Sequence, residues 1–175
     1  MLEITFQQIL KLVIDNFGAT AGDDLERLET IFYHAAFDYH PAPGISSFLE
    51  DVRSAGLKAG VISNSTNSGA LIEREIEKAG LGTYFGKIMS SADYGIRKQH
   101  PMLYETALSA LSVEPGEAVF IGDHLMYDIQ TAQTAGLATA WYNRKAIENE
   151  TNVKPDYEFH DWAALNVQYL ANVLR

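Results

Sequence analysis

Two aspartates that follow one apolar run, Asp123 and Asp128, have the clearest chemical setting in this sequence. The run 118–121 is closed by Gly122, which predicts a short buried strand with Asp123 directly at its carboxyl end. Open α/β sheets bind their ligands at that end of the strands. Two close carboxylates repel each other unless a cation or a proton lies between them, and an all-oxygen set favours a hard ion such as Mg²⁺. The alternative is structural, with Asp123 capping the following helix and Asp128 solvated.

Polar residues also follow a second predicted strand and precede a predicted helix. Ser63 and Asn64 come directly after the apolar run 59–62, where a hydroxyl and nearby amides could donate to a phosphate oxygen. Lys98 lies shortly before Pro101, a residue that can open a helix, and its charge could neutralise a phosphoryl group or hold a carboxylate in place. Taken singly, the first pair also fits ordinary turn residues, and the lysine fits a solvated loop cation.

The elements that would position these side chains alternate between strand and helix from residue 41 onward. Such alternation predicts an α/β fold, a parallel sheet with helices on both faces. The predicted strands cover 58–63, 85–89, 118–121, 137–142 and 157–159, and the predicted helices cover 45–55, 69–79, 102–111, a segment ending at 135–136, and 162–174.

The first forty residues have helical periodicity and no strand signal. A capping-box pattern begins at Thr5, and the first helix is expected to stop at Gly18 before a second one follows. The proline-rich stretch 40–44 breaks the pattern. The predicted organisation is therefore a helical segment over 1–40 and an α/β core over 41–175.

Composition excludes several classes of protein. The length of 175 residues suits one domain with a small appendage, and the net charge of −10 disfavours nucleic acid as a partner. The sequence contains no cysteine, which excludes disulfides and thiolate metal sites. No apolar run approaches 18 residues, so no membrane partner is expected, and without a basic leader the expected location is cytoplasmic.

In their order along the chain, the three polar loops resemble the motifs of the haloacid dehalogenase (HAD) superfamily of hydrolases. The residues that carry this resemblance are 61–65 for the second motif, Arg97-Lys98 with Pro101 for the third, and 121–123 with Asp128 for the fourth. The resemblance extends from residue 41 to the C-terminus, and residues 1–40 resemble part of the helical cap that many members insert after their first motif.

The resemblance implies a three-layer, Rossmann-like parallel sheet with a partial helical cap at the N-terminus. It also implies hydrolysis of a small phosphorylated metabolite through an aspartyl-phosphate intermediate, with Mg²⁺ as the cofactor. In that mechanism Ser63 and Asn64 would hold the transferring phosphoryl group, and Lys98 would bind it and steady the charges. Ser63 and Lys98 are thus the implied catalytic residues, while Asp123 would bind Mg²⁺ with the assistance of Asp128. Electrostatic positioning would supply most of the catalysis.

The sequence departs from the family at two places. The first motif, a strand ending in Asp-x-Asp that supplies the nucleophile, occurs nowhere in the 175 residues. Asp38 is the upstream aspartate that directly follows an apolar run, but that run continues a helical pattern, so Asp38 is a poor substitute. Gln99-His100 stands where relatives often carry Pro-Asp, and no catalytic role is assigned to His100.

The missing motif also removes a strand from the expected sheet. In the family this strand lies between the two that end here at Ile62 and Ile121. Its loss would leave unpaired amides and carbonyls along two inner edges, and such groups are costly to bury. Three explanations are open: the chain is a fragment or shortened reading of a longer protein, another chain supplies the strand, or the sheet closes directly between its neighbours.

Two main functions follow from these observations. The chain is either the core of a Mg²⁺-dependent phosphatase or phosphotransferase whose nucleophile comes from elsewhere, or a catalytically inactive binding or scaffold relative that keeps a metal or phosphate pocket. A haloacid dehalogenase is a third reading, which needs the same nucleophile but not the metal. The open sheet edge and the apolar faces of the first two helices also predict a homo-oligomer or a partner chain.

Overall fold

The computed structural model describes residues 3–20, 24–168 and 170, and in it two N-terminal helices precede an α/β unit. The helices are α1 Phe6–Phe17, α2 Leu25–Ala36, α3 Ile45–Ser54, α4 Gly69–Lys78, α5 Ser91–Tyr94, α6 Met102–Leu111 and α7 Gln130–Thr134. The strands are β1 Ala59–Ser63, β2 Phe85–Ser90, β3 Val119–Gly122, β4 Ala138–Tyr142 and β5 Tyr157–Phe159. Among these residues no helix is long and apolar enough to cross a membrane.

Most of the predicted elements are confirmed to within one or two residues. The capping box at the start of α1 is present, because the Thr5 hydroxyl accepts the Gln8 N–H at 3.1 Å and the Gln8 side chain accepts the Thr5 N–H at 3.0 Å. The helix ends at Gly18 in a left-handed conformation with φ 62°. The helix expected to end at 135–136 is a π-helical turn, Leu125–Ile129, followed by the short α7.

The predicted helix over 162–174 is wrong at its start. Trp162–Ala164 forms a single 3₁₀ turn, capped by the Asp161 carboxylate, which accepts the Ala163 N–H at 3.0 Å. Leu165 then adopts an extended conformation that buries its side chain in the core, so helical geometry resumes only at residue 167. Residues 169 and 171–174 of the predicted helix lie outside the described residues.

The strands form two separate parallel groups, β1 with β2, and β3-β4-β5 in that order. No hydrogen-bonded ladder joins β1 to β3 in the part of the chain that the structure describes. Ser63 pairs with Ser90, and Gly122 pairs with Trp141, so the strands of each group end at a common rim. Direct closure of the sheet between its two inner strands, one of the three explanations for the missing strand, is therefore not observed.

Both groups nevertheless lie in one layer between the same two sets of side chains. On one face, Ala59 of β1 and Ile121 of β3 pack against the cluster that contains Phe48 of α3. On the other face, Ile62 of β1 and Phe120 of β3 pack against the cluster that α6 and α7 build. This arrangement confirms the predicted α/β class, with helices on both faces of the strands, and it places β1 and β3 against the same two clusters.

β1 and β3 are less buried than the centre of β4. Every residue of β1 and β3 retains some exposure, whereas Ala140 at the centre of β4 is completely buried. An inner strand of a doubly wound sheet is normally covered on both faces and paired on both edges. β1 and β3 thus have the pairing and the exposure of edge strands, whereas the family resemblance places them on either side of an inner strand.

The N-terminal helices are attached to the α/β unit by a buried carboxylate. Glu29 of α2 has no exposed surface, and it accepts the Ser68 N–H at 2.8 Å, the Ser68 hydroxyl at 2.9 Å and the Gln7 amide at 2.8 Å. Ser68 is the N-cap of α4, so the carboxylate also lies at the positive end of that helix. Three helices, α1, α2 and α4, therefore meet at Glu29. The domain boundary expected at residue 40 stays a prediction.

Replacing Glu29 by Gln should lower the free energy of unfolding by about 1–3 kcal/mol, because one oxygen becomes an amide that cannot accept the buried donors. Urea unfolding followed by circular dichroism measures this loss. Glu73→Gln is the matched control, since Glu73 is exposed on α4 and has no polar partner among the described residues, so it should change stability by less than about 0.5 kcal/mol. Equal unfolding midpoints for the two variants would contradict the role given to Glu29.

Candidate active site

The loop after β3 is organised around the carboxylate of Asp128, which is 4% exposed. Its Oδ2 atom accepts the backbone N–H groups of Asp123 and His124, both at 3.1 Å. Gly122 makes this fold of the loop possible, because a Cβ at that position would lie 2.4 Å from the Cβ of Asp128. The strand end and the first helical turn after it are therefore fixed to each other by one side chain.

Lys98 connects this loop to the end of β1. Its Nζ lies 2.5 Å from Oδ1 of Asp128, and its backbone N–H donates to Oδ1 of Asn64 at 3.2 Å. The ammonium also lies 5.5 Å from the centre of the Phe120 ring, which adds a cation–π contact. The side chain of Lys98 is only 12% exposed, so the ion pair is shielded from solvent.

Two polar groups at the same rim remain unused. The carboxylate of Asp123 is exposed and makes no hydrogen bond or ion pair with any described residue. The hydroxyl of Ser63, at the end of β1, is likewise without a hydrogen bond in the described part of the chain. The backbone of Asp123, in contrast, is held at both ends, since its carbonyl accepts the indole N–H of Trp141 at 3.1 Å.

The structure thus links four of the five predicted site residues through a continuous series of contacts. Asn64 bonds to Lys98, Lys98 pairs with Asp128, and Asp128 holds the backbone of Asp123. Ser63 precedes Asn64 directly and is the fifth. The catalytic and phosphate-binding roles of these residues stay predictions.

Two residues considered at the sequence level lie outside this series. Asp38 is in the exposed segment after α2, where it pairs with His40 at 3.2 Å. His100 accepts the Met102 N–H through Nδ1 at 3.2 Å and so serves the start of α6. Neither contact involves Lys98 or Asp123.

Tyr104 of α6 adds a neutral polar group beneath the site. Its side chain is fully buried, and its hydroxyl lies 3.5 Å from the carbonyl oxygen of Asp128. Burial raises the pKa of Tyr104 well above its ordinary value, and the negative charge of Asp128 adds to that shift. Tyr104 therefore stays protonated and can donate its hydrogen to that carbonyl.

The donor set at the rim fits a hard divalent cation in part. Mg²⁺ is commonly held by one or two carboxylates together with water and substrate phosphate, and Asp123 offers one free carboxylate in the right position at a strand end. Asp128 has one oxygen on two amides and the other on Lys98. No cluster of three or more acidic, histidine or cysteine side chains forms among the described residues, so further ligands would have to come from water, substrate or another segment.

Sequence reasoning did not identify Trp141 or Phe120 as parts of the site. Both are ordinary apolar residues of predicted strands. Their contacts with Asp123 and Lys98 depend on how the strands are arranged in space, which the sequence does not show. A tryptophan in the strand that follows a glycine-aspartate turn, 18 residues after the aspartate, carries no signal by itself. Only the parallel pairing of Gly122 with Trp141 brings the indole to the Asp123 carbonyl.

The fold and the site together define a Rossmann-like α/β protein with a polar cluster at the carboxyl rim of its sheet. The chain belongs to the haloacid dehalogenase-like hydrolase family, and the sequence model of that family matches residues 2–142. This finding confirms the resemblance seen in the sequence.

Curated relatives of this chain include named phosphatases. It is 27% identical over 168 residues to the phosphoserine phosphatase of Thermus thermophilus, covering 96% of this chain and 65% of that protein. It is 30% identical over 146 residues to the glyceraldehyde 3-phosphate phosphatase of Pyrococcus furiosus, covering 82% of this chain and 58% of that protein. The chain therefore spans about two thirds or less of the length of these relatives.

Solved structures give the same family. A HAD phosphatase from Thermococcus onnurineus is 25% identical with a TM-score of 0.66, over 94% of this chain and 69% of that one. The 2-haloacid dehalogenase from Pseudomonas syringae is 30% identical with a TM-score of 0.62, over 75% of this chain and 52% of that one. Both comparisons support the α/β core described above.

Proposed function

We propose that this chain is the core of a Mg²⁺-dependent phosphate-monoester hydrolase that acts on a small phosphorylated metabolite. The observation that carries the proposal is a shielded Lys98–Asp128 ion pair at the same rim as the Asp123 carboxylate and the Ser63 hydroxyl, neither of which has a polar partner among the described residues. The named phosphatases among the relatives favour phosphate esters over other substrates. The identity of the metabolite would be set by residues outside this cluster.

In the proposed reaction, each group has a role that suits its surroundings. Ser63 and Asn64 bind oxygens of the phosphoryl group, and the Lys98 ammonium offsets its negative charge while it also holds Asp128 in place. Mg²⁺ at Asp123 would neutralise charge on the transferring group. Asp128 assists by keeping the Asp123 backbone fixed. A direct bond from Asp128 to the metal is a second role that we propose for it.

The nucleophilic aspartate of this reaction would come from outside the 175 residues. The place we propose for it is between β1 and β3, which pack against the same two side-chain clusters and have no ladder to each other among the described residues. A parallel apolar strand in this place would pair with both edges and would end at the rim beside Lys98 and Asp123. Such a strand could belong to a longer form of the same polypeptide or to another chain.

The test is Mg²⁺-dependent hydrolysis of p-nitrophenyl phosphate by the purified 175-residue chain. We expect no turnover from the chain alone, because the nucleophile is absent. Robust hydrolysis that is lost in Asp123→Ala would contradict this part of the proposal, since the nucleophile would then lie within the chain. The same assay on a chain completed with a strand separates the hydrolase from an inactive relative.

A catalytically inactive binding or scaffold protein is the second candidate function. It is favoured by one observation, the absence of Asp-x-Asp from the sequence. A haloacid dehalogenase is less well supported, because such an enzyme has no use for the free carboxylate of Asp123 as a metal ligand. Cytoplasmic location and the absence of nucleic-acid partners remain part of the proposal, the latter because of the net charge of −10.

Self-association is also part of the proposal. α1 buries none of its residues, and Leu12 and Phe17 on it are 71% and 78% exposed. Large exposed apolar side chains on one helix are typical of contact surfaces. Sedimentation velocity should therefore show dimers or larger species at high concentration, and a monodisperse monomer would argue against this expectation.

A further inference from the structure

We propose that Trp141 is a positioning residue for the Asp123 carboxylate, and that its indole N–H sets the affinity of the rim for a divalent cation. The inference rests on the proposed function, because it assigns a purpose to the free carboxylate of Asp123. It concerns a residue that lies in the next strand, β4, and whose side chain contacts the main chain of Asp123 rather than any ligand.

The backbone of Asp123 is held from two independent directions. Its N–H donates to Asp128, and its carbonyl accepts from Trp141, so both peptide groups that flank the Asp123 Cα are fixed. The direction of the carboxylate depends on those two peptide planes, since they determine where the Cα–Cβ bond points. The plane that follows Asp123 is held a second time by the His124 N–H, which donates to Asp128 at 3.1 Å. Loss of the Trp141 contact would leave that plane with one of its two restraints and widen the range of directions that the carboxylate samples.

The Trp141 contact cannot easily be replaced by water. Trp141 is 2% exposed and packs with Leu125, Ile129 and Val153. Among the described residues, the indole is the one donor that reaches the Asp123 carbonyl. A phenylalanine at position 141 would keep most of the packing and remove the donor, which would leave the carbonyl without its partner.

Groups that orient a metal ligand without touching the metal commonly change metal affinity by about 10–100-fold when they are removed. The indole of Trp141 stands in that relation to Asp123. The expected signature is therefore a weaker cation affinity in a chain that is still folded, which a purely structural role for a buried tryptophan would not produce.

The chain contains a matched control for this experiment. Trp162 is the other of its two tryptophans, and its indole N–H is buried with no hydrogen-bond partner among the described residues. It packs on Phe48 and Phe159, each with ring centres 5.2 Å away. Trp162→Phe therefore removes an indole that is partly buried against the core without removing a hydrogen bond.

The test measures Mg²⁺ binding by titration calorimetry for the wild-type chain and for Trp141→Phe, Trp162→Phe and Asp123→Asn. We expect Trp141→Phe to weaken binding by about 10–100-fold, Trp162→Phe to leave the affinity within about twofold, and Asp123→Asn to abolish binding. In Trp162→Phe the remaining tryptophan reports on the site, so its fluorescence should shift with Mg²⁺ and should not shift when Asp123→Asn is added.

Each other outcome overturns a distinct claim. If Asp123→Asn abolishes binding but Trp141→Phe binds as tightly as the wild type, the positioning role of Trp141 is wrong and the proposed metal site stands. If Trp141→Phe and Trp162→Phe weaken binding equally, the effect is general loosening of the core, and the inference fails. If the wild-type chain binds no Mg²⁺, or binds it equally well as Asp123→Asn, the metal site itself fails, and the inference fails with it.

Discussion

A chain that carries an added apolar strand ending in Asp-x-Asp should hydrolyse p-nitrophenyl phosphate at least about 10³-fold faster than the chain alone, with Mg²⁺ present. A positioned nucleophile replaces one difficult displacement by two easier steps, and complete enzymes accelerate such reactions by about 10⁶-fold or more. The added strand would occupy the opening between β1 and β3, whose edges have no ladder to each other in the described residues.

The structure indicates how to attach the strand. Glu3 donates its N–H to the Gly95 carbonyl at 2.9 Å, and Phe6 donates to the Thr66 carbonyl at 2.7 Å, so the first described residues lie at the rim. A parallel strand in the opening would end at this same rim. The added segment would precede residue 1 and would begin with five apolar residues, because β1 is five residues long. Asp-x-Asp and a short glycine-serine linker would follow them, and the segment would complete the sheet.

Two control fusions separate catalysis from folding. In the first, Asn-x-Asp replaces Asp-x-Asp, which keeps the strand and removes the nucleophile, so turnover should fall to the level of the chain alone. In the second, glycine and serine replace the five apolar residues, and the strand should no longer insert. A fully folded Asp-x-Asp fusion without activity would favour the inactive binding or scaffold protein.

Replacing Lys98 by Met should lower the free energy of unfolding by about 3–5 kcal/mol, because it leaves the buried Asp128 carboxylate without its cation. The pair is close, with 2.5 Å between Nζ and Oδ1, and the two side chains are 12% and 6% exposed. An exposed ion pair would contribute less than about 1 kcal/mol. Guanidinium unfolding of the 175-residue chain measures the loss without any need for catalysis.

A double-mutant cycle identifies the source of that loss. Lys98→Met with Asp128→Asn removes both charges and keeps an oxygen for the amides of Asp123 and His124, so it should be more stable than Lys98→Met alone. Lys145→Met is the control, since Lys145 is exposed with no polar partner among the described residues. If Lys98→Met and Lys145→Met unfold at the same denaturant concentration, the ion pair does not hold the site together.

Local sequence determined the elements and the family. The capping box at Thr5 and the stop at Gly18 depend on contacts within a few residues, and they are present as predicted. The alternation of strands and helices and the polar residues at two strand ends also depend on short-range patterns. The parallel α/β class and the HAD family could therefore be inferred before any coordinates.

The contacts between distant segments were decided by the tertiary structure. Lys98 could have been a solvated loop cation, and only the folding of the chain brings its ammonium to Asp128 and Phe120. The helix expected from Trp162 is interrupted where Leu165 is extended and buried in the core. The local sequence pattern does not indicate that burial. In the sequence, Glu29 is not distinguishable from other acidic residues on a helix. Its burial against Ser68 depends on how α2 packs on α4.

By itself the sequence determined which polar groups stand at the strand ends, because a strand and the loop after it are adjacent along the chain. Only the tertiary structure decided that Lys98 and Asp128 pair with each other while the Asp123 carboxylate and the Ser63 hydroxyl have no polar partner among the described residues, because that division depends on how distant segments pack. It also decided that no ladder joins β1 to β3 in the described part of the chain, since the pairing of a strand depends on neighbours that are far away in the sequence.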